Sequence, residues 1–168
     1  MTVKITTTTK TASGGEFSRI LDNLKKRFQG PTKIMVGVPK NAGDYKDGPS
    51  FAVVGAVNEF GSADGRIPAR PHLIPGVVDH QDEYNMLLAE GLKEVAQGNL
   101  TNRQVLEQLG ELARANVQQK IVEVRSPPNA ASTVDRKGSS NPLIDTGAYR
   151  QSINYVILEE GEQVDEGL

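Results

Sequence analysis

The most constraining feature of the sequence is a long helical stripe in its middle. Thr101 and Gln104 have the spacing of a capping box, which predicts that a helix begins there. An earlier stripe, from Tyr84 to Val95, ends at Gly98, so only a short link separates the two predicted helices. A link this short favours an antiparallel pair. The apolar residues of the longer stripe recur at the spacing of one helix face, at Val105, Leu109, Leu112, Ala113, Val117, Ile121 and Val124.

Two further helices are predicted from shorter stripes. Apolar residues between Phe17 and Phe28 repeat at helical spacing after the capping residue Ser13. Gly30, which a proline follows, is typical of a helix end. The small apolar residues 51–60 predict a short helix that ends before Gly61, although a strand is the alternative for so short a run.

Strand-like patterns lie on either side of these helices. Lys33–Val38 is a short β-branched run, and Ser152–Leu158 alternates between apolar and other side chains. We therefore predict an α+β fold in which a small, mostly antiparallel sheet packs against two long antiparallel helices, with long polar loops.

The chain divides into one domain with two short flanking segments. The alternation over Val3–Lys10 makes residues 1–12 a predicted strand or flexible arm. Residues 13–158 are predicted to form a single α+β domain, which contains a long interaction loop over 126–142. Residues 159–168 are acidic, and we expect them to form a flexible tail.

Composition excludes several classes of protein. The 168 residues include no cysteine, which rules out disulfides, thiol catalysis and cysteine metal sites. The only histidines, His72 and His80, flank Pro75 and form no metal-binding motif, so we interpret them as packing or solvated side chains. No apolar run approaches the ~20 residues of a membrane span. The net charge of −2 argues against a protein dedicated to duplex DNA.

No pattern of catalytic residues stands out. The sequence has no nucleophile elbow, and the turn from Gly61 to Gly65 lacks the spacing of a phosphate-binding loop. We therefore expect no enzymatic activity, no cofactor and no metal. A small hydrolase that uses Asp or His residues stays open as a further hypothesis. Another alternative is a nucleic-acid-binding accessory protein that uses Lys25, Lys26, Arg27, Arg125 and Arg136.

Long polar segments are the more informative feature. Pro39–Ser50, the proline-rich stretch Ser62–Pro75 and the loop 126–142 contain few residues that a core would bury. Long loops without secondary structure of their own are usually functional or disordered. We interpret these loops as segments that dock on neighbouring chains.

Three segments, in a fixed order, resemble the tail-completion or neck proteins of long-tailed bacteriophages, a family also described as minor tail or virion morphogenesis proteins. The resemblance covers roughly 51–158, which is most of the chain. The segments that carry it are Asn58–Gly61 with Ile67–Pro75, then Ile121–Ala130 with Thr133–Val134 and Arg136–Ser140, then Asn141–Gly147 with Ser152–Ile153.

This resemblance implies a structural virion protein at the head–tail junction, made in the host cytoplasm during assembly. Members of the family are expected to form a homo-oligomeric ring, a hexamer, between the head-side stopper or connector and the tail terminator or tail tube. Genomic DNA would pass through the lumen of the ring without sequence-specific binding. The interface or structural residues that the resemblance points to are Asn58, Glu59, Arg66, Arg70, Arg125, Arg136, Lys137, Asp145 and Thr146.

Two of these motifs carry local predictions. The prolines on either side of Arg70 hold the chain extended, and we expect its guanidinium to pair with a carboxylate of this chain, with Glu59 as a candidate, or of an adjacent subunit. In the segment that ends at Gly147, we expect Asp145 to accept backbone N–H groups and the glycine to adopt a positive φ.

Overall fold

A computed structural model describes residues 14–39, 41–46 and 48–159. This part of the chain is a mixed α+β fold of seven helices and a two-stranded antiparallel sheet. The predicted N-terminal arm, 1–12, and residues 160–168 of the predicted acidic tail lie outside it. The elements are α1 (Gly14–Arg27), β1 (Lys33–Gly37), α2 (Phe51–Phe60), α3 (Leu73–Val78), α4 (Gln81–Gln97), α5 (Asn102–Glu123), α6 (Ala131–Lys137), α7 (Ala148–Ser152) and β2 (Asn154–Leu158).

Helix α5 is the centre of the fold. Its capping box is present as predicted, because the Thr101 and Gln104 side chains each accept a hydrogen bond from the other's backbone N–H. Val117 and Ile121 on its inner face are fully buried. They form a core with residues from the segments that follow α5, namely Leu143, Tyr149 and Ile153.

Close approaches to α5 depend on two glycines. A Cβ at Gly110 would lie 2.4 Å from the ring of Tyr155, so only glycine lets β2 lie this close to the helix. A Cβ at Gly76 would lie 2.9 Å from the Cα atom of Val117, which shows that α3 touches the backbone of α5. The sheet and α3 are therefore both positioned by direct contact with α5.

The sheet has its predicted antiparallel pairing. β1 pairs with β2 in a register that runs from Lys33 opposite Leu158 to Gly37 opposite Asn154. Both strands pack on α5, which also packs against α4. The prediction that both long helices back the sheet is not confirmed.

The segment 73–97 forms two helices, and the predicted stripe from Tyr84 to Val95 belongs to the second of them. Helix α3 ends at Val78 and α4 begins at Gln81, with His80 as its N-cap residue. At the break, the carboxylate of Asp79 accepts a hydrogen bond of 2.6 Å from Lys120 Nζ of α5. Because the chain changes direction at this break, α3 and α4 can each pack against α5.

Helix α1 lies where it was predicted, but its apolar face is uncovered. Phe17, Ile20 and Leu21 are 58%, 52% and 39% exposed. The end of α1 is attached to the body through Arg27, which donates a hydrogen bond to the carbonyl of Ala96 at the end of α4. No helix in the described ranges has the length and apolar character needed to cross a bilayer.

The predicted loop 126–142 contains a helix, so the expectation of a segment without regular structure was wrong. Residues 131–137 form α6, which Gly138 ends in the left-handed conformation at φ +66°. Ala130 and Ala131 favour a helix at this point. None of the residues of α6 is fully buried, which agrees with the few apolar side chains of the segment.

Candidate functional site

A turn folds the first motif back on the end of α2. Gly61 ends the helix with φ +83°, and a Cβ there would lie 3.1 Å from the carbonyl oxygen of Ile67. The Ser62 hydroxyl accepts a hydrogen bond from the Ile67 N–H, and the backbone N–H of Arg70 donates to the carbonyl of Asn58. This turn brings the segment 70–74 alongside the last residues of α2.

Glu59 caps the helix that follows the turn. Its carboxylate accepts hydrogen bonds from the backbone N–H groups of His72 (2.7 Å), Leu73 (2.8 Å) and Ile74 (3.0 Å). Only 3% of Glu59 is exposed. Since these N–H groups have no partner inside α3, the buried carboxylate satisfies the donors at the start of that helix.

The imidazole of His72 joins this cap to α7. Its Nδ1 lies 2.8 Å from the Arg70 carbonyl oxygen, which can only accept, so Nδ1 carries the proton. Its Nε2 lies 2.5 Å from the Tyr149 hydroxyl and accepts from it. Burial lowers the pKa of His72, against the opposing effects of the Arg70 carbonyl and the Glu59 charge. Burial raises the pKa of Tyr149, so both groups are neutral at pH 7.

Glu59, His72 and Tyr149 thus form a buried polar cluster. Helix α2 makes room for it, because a Cβ at Gly55 would lie 2.8 Å from the Tyr149 hydroxyl oxygen. The oxygens of Glu59 already accept three backbone N–H groups, and His72 is fully buried. The cluster suits a structural connection between α2, α3 and α7 better than catalysis, which needs access for a substrate.

Arg70 does not pair with Glu59, so that part of the prediction was wrong. Its Nε donates to the carbonyl oxygen of Pro127 at 2.7 Å, and its Nη2 donates to that of Pro128 at 3.1 Å. Only 5% of the residue is exposed, and burial lowers its pKa. Because Glu59 is occupied by the start of α3, the guanidinium attaches the first motif to the chain that follows α5. Its charge has no carboxylate partner within the described residues.

Asn141 fixes the third motif to the end of α5. Its Nδ2 donates to the carbonyl of Val122 at 3.1 Å, and its Oδ1 accepts from the N–H of Leu143 at 3.0 Å. Asn141 therefore takes the turn-forming role that the sequence predicted for Asp145. Asp145 is exposed and accepts no backbone N–H from the described residues, whereas the neighbouring Thr146 hydroxyl accepts from the N–H of Ala148 at 3.3 Å. The positive φ predicted for Gly147 is confirmed at +85°.

The three motifs surround one cavity of about 730 Å³. We call it the cationic cavity, because the side chains of Arg66, Arg70, Arg136 and Lys137 line it together with a single carboxylate, that of Asp145. Its walls also include Asn58 and apolar side chains, among them Ile67, Leu143 and three prolines.

The cations of the cavity differ in how they are held. Lys137 is half-buried, and its Nζ lies 3.4 Å and 3.3 Å from the carbonyl oxygens of Asn141 and Pro142. Burial lowers its pKa, whereas the charge of Asp145 acts in the opposite direction. Arg66 is exposed and pairs with Asp64 at 3.2 Å. Arg136 is exposed and forms no ion pair within the described part of the chain.

The sequence-predicted residues thus separate into three groups. Glu59 belongs to the buried polar cluster, and Arg125 and Thr146 are exposed positions that do not line the cavity. Sequence reasoning missed the roles of His72, Tyr149 and Asn141. Six predicted residues meet at the cationic cavity, namely Asn58, Arg66, Arg70, Arg136, Lys137 and Asp145.

The described ranges contain no group of three or more His, Asp or Glu side chains arranged to hold a metal ion. The cations and apolar side chains of the lining suit the recognition of negative charge beside apolar surface. Comparison with protein-family models, with curated proteins and with solved structures found no match to this chain.

Proposed function

We propose that this chain is a structural, non-enzymatic protein of the phage neck, which completes the tail and joins it to the DNA-filled head as a ring around the DNA channel. The observation that carries the proposal is the convergence of the three resembling segments on one cavity. Residues far apart in sequence bring six of the predicted polar side chains together there, and two of its four cations, Arg70 and Arg136, form no ion pair within the described residues.

The rest of the proposal concerns the body of each ring subunit. The α4–α5 pair and the sheet on α5 form a rigid unit, and the segment around α6 contacts neighbours. The partners are other copies of the chain in a hexamer, the head-side stopper or connector, and the tail terminator or tail tube. The complex belongs to the virion, and assembly takes place in the host cytoplasm.

The nucleic-acid alternative receives less support from the geometry. Its five cations lie on different parts of the molecule, since Arg27 contacts the end of α4 whereas Arg136 lines the cavity beyond the far end of α5. A binding track for a nucleic-acid backbone needs cations that follow one another along a surface. A single-strand platform also needs several aromatic side chains between its cations, whereas Phe28 is the one aromatic residue that adjoins any of these five in the sequence.

Electron microscopy of particles made by a phage that lacks only this gene tests the proposal. We expect filled heads to accumulate beside free, complete-looking tails. Complementation with the intact gene restores joined particles, and so does complementation with Lys93→Glu, which changes an exposed residue of α4 away from the cavity. Normal infectious virions from the deletion would overturn the proposal.

A further inference from the structure

We propose that the cationic cavity binds the acidic residues 160–168 of a second copy of this chain. This inference deepens the proposed ring and rests on it for its role in assembly. The binding step itself is independent of any phage experiment.

Charge is the first argument. Residues 160–168 carry four carboxylates, those of Glu160, Glu162, Asp165 and Glu166, and no lysine or arginine. The cavity offers four cations, of which Arg66 pairs with Asp64, and its lining holds one carboxylate, that of Asp145, so positive charge remains in excess by two. Arg70 donates to backbone carbonyls, which satisfy its N–H groups but leave its charge uncompensated. An acidic peptide supplies the missing negative charge.

The walls of the cavity favour a peptide over a nucleic-acid backbone. Ile67, Leu143 and several prolines place apolar surface between the cations. The acidic segment itself contains Val164 and Leu168 among its carboxylates. The cavity volume of about 730 Å³ is within the range of ordinary ligand pockets.

Distance argues that the segment comes from a second copy. Glu159 pairs with Arg103 at 2.8 Å, in the first turn of α5. The cavity lies beyond the other end of that helix, where Arg70 contacts Pro127. The 22 residues of α5 span about 33 Å. Residues 160–168 span about 30 Å only when fully extended, so these residues could approach the cavity of their own chain only in that form.

The acidic segment and the cavity therefore lie toward opposite ends of α5, which favours a contact between two molecules over a contact within one. Such a head-to-tail contact is heterologous, and it generates a ring when the rotation between neighbours closes. This is the symmetry that the proposed function requires.

The test measures binding of a fluorescein-labelled peptide of residues 159–168 by anisotropy. The protein is the full chain with its own acidic segment neutralised by Glu160→Gln, Glu162→Gln, Asp165→Asn and Glu166→Gln, so that it cannot compete. We expect binding at about 0.1 M salt that is lost at about 1 M salt. A peptide with the same four substitutions should not bind.

Matched variants locate the peptide on the protein. Adding Arg136→Glu should weaken binding at least roughly tenfold, whereas adding Lys93→Glu should leave it unchanged. Equal affinities of these two variants would overturn the proposal, as would no binding at about 0.1 M salt. Binding of duplex DNA without binding of the peptide would overturn it in favour of the nucleic-acid alternative.

A mixing experiment tests the requirement for a second copy. The neutralised chain keeps an intact cavity, and the Arg136→Glu chain keeps an intact acidic segment. We expect each alone to sediment as a monomer and the mixture to form dimers and nothing larger. Failure of the mixture to associate would overturn the head-to-tail contact. If gene deletion nonetheless leaves heads and tails unjoined, the proposed function stands without this contact.

Discussion

The buried polar cluster and the cationic cavity share the first motif, which supplies Glu59 and His72 to one and Arg66 and Arg70 to the other, yet their polar groups differ in how they are satisfied. In the cluster, Glu59, His72 and Tyr149 satisfy one another and the start of α3, and no buried side-chain polar atom in the described ranges lacks a partner. In the cavity, Arg136 faces open space without a carboxylate. A closed network maintains a fold, whereas uncompensated charge at a cavity is available to a partner.

Of the changes proposed, replacement of Glu59 should destabilise the buried polar cluster most. Glu59→Ala leaves the N–H groups of His72, Leu73 and Ile74 without their acceptor; because the first is buried and the other two are partly buried, we expect a loss of about 3 kcal/mol of unfolding free energy. Glu59→Gln keeps a carbonyl oxygen and should cost less. Urea unfolding of both variants measures the difference. A loss below about 1 kcal/mol for Glu59→Ala would contradict a role in the fold.

Removing one hydroxyl should have an intermediate effect. Tyr149→Phe deletes the donor to His72 Nε2 while keeping the packed ring, and we expect a loss of about 1–2 kcal/mol. Tyr45→Phe is the matched control, because the Tyr45 hydroxyl forms no hydrogen bond with the described residues. Thermal unfolding should separate the two variants. Equal melting temperatures would mean that the hydrogen bond contributes nothing to stability.

The pH dependence of stability should also report on the cluster. The pKa of His72 is lowered in the folded protein, so the unfolded chain takes up this proton first as the pH falls. Stability is therefore complete above about pH 6.5 and falls below it, by up to about 1.4 kcal/mol per pH unit until the folded pKa is reached.

Unfolding measured between about pH 7.5 and about pH 5.5 gives that slope, because this range brackets the ordinary histidine pKa of about 6.5. His80→Gln should keep the slope, because His80 is a partly exposed residue at the start of α4. His72→Gln should lose it. A slope that is the same in both variants would assign the titration to other groups.

The smallest effect on stability should come from a substitution in the cationic cavity. Arg136→Glu changes an exposed residue that forms no ion pair within the described residues, so we expect the unfolding free energy to change by no more than about 0.5 kcal/mol. The same variant should fail to restore joined particles in a phage that lacks the gene. A variant that is both unstable and inactive would remove the distinction between cluster and cavity.

Helices α1 and α5 illustrate how much of the fold could be predicted. Both have clear apolar stripes and end signals, and both helices lie where they were predicted. However, the stripe of α5 is buried, whereas Phe17 and Ile20 of α1 are exposed. Periodicity indicates which face of a helix is apolar, but it contains no information on what covers that face.

The sequence could predict which residues belong to the candidate site, but not which groups pair with one another. The motifs identified Glu59 and Arg70, but the carboxylate caps α3 and the guanidinium contacts carbonyls more than fifty residues away. A backbone carbonyl has no sequence signature, so such a partner is invisible before the fold is known. The same holds for His72, whose burial depends on the position of Tyr149 in α7.

The length of α5 acquires a geometric meaning in the proposed assembly. Since the acidic segment leaves near one end of this helix and the cavity lies beyond the other, the helix acts as a spacer between successive contacts. Adding one turn would lengthen it by about 5 Å and keep the faces in register. The angle between neighbours would then change, and with it the diameter of the closed ring. In this arrangement the length of α5 determines the diameter of the channel.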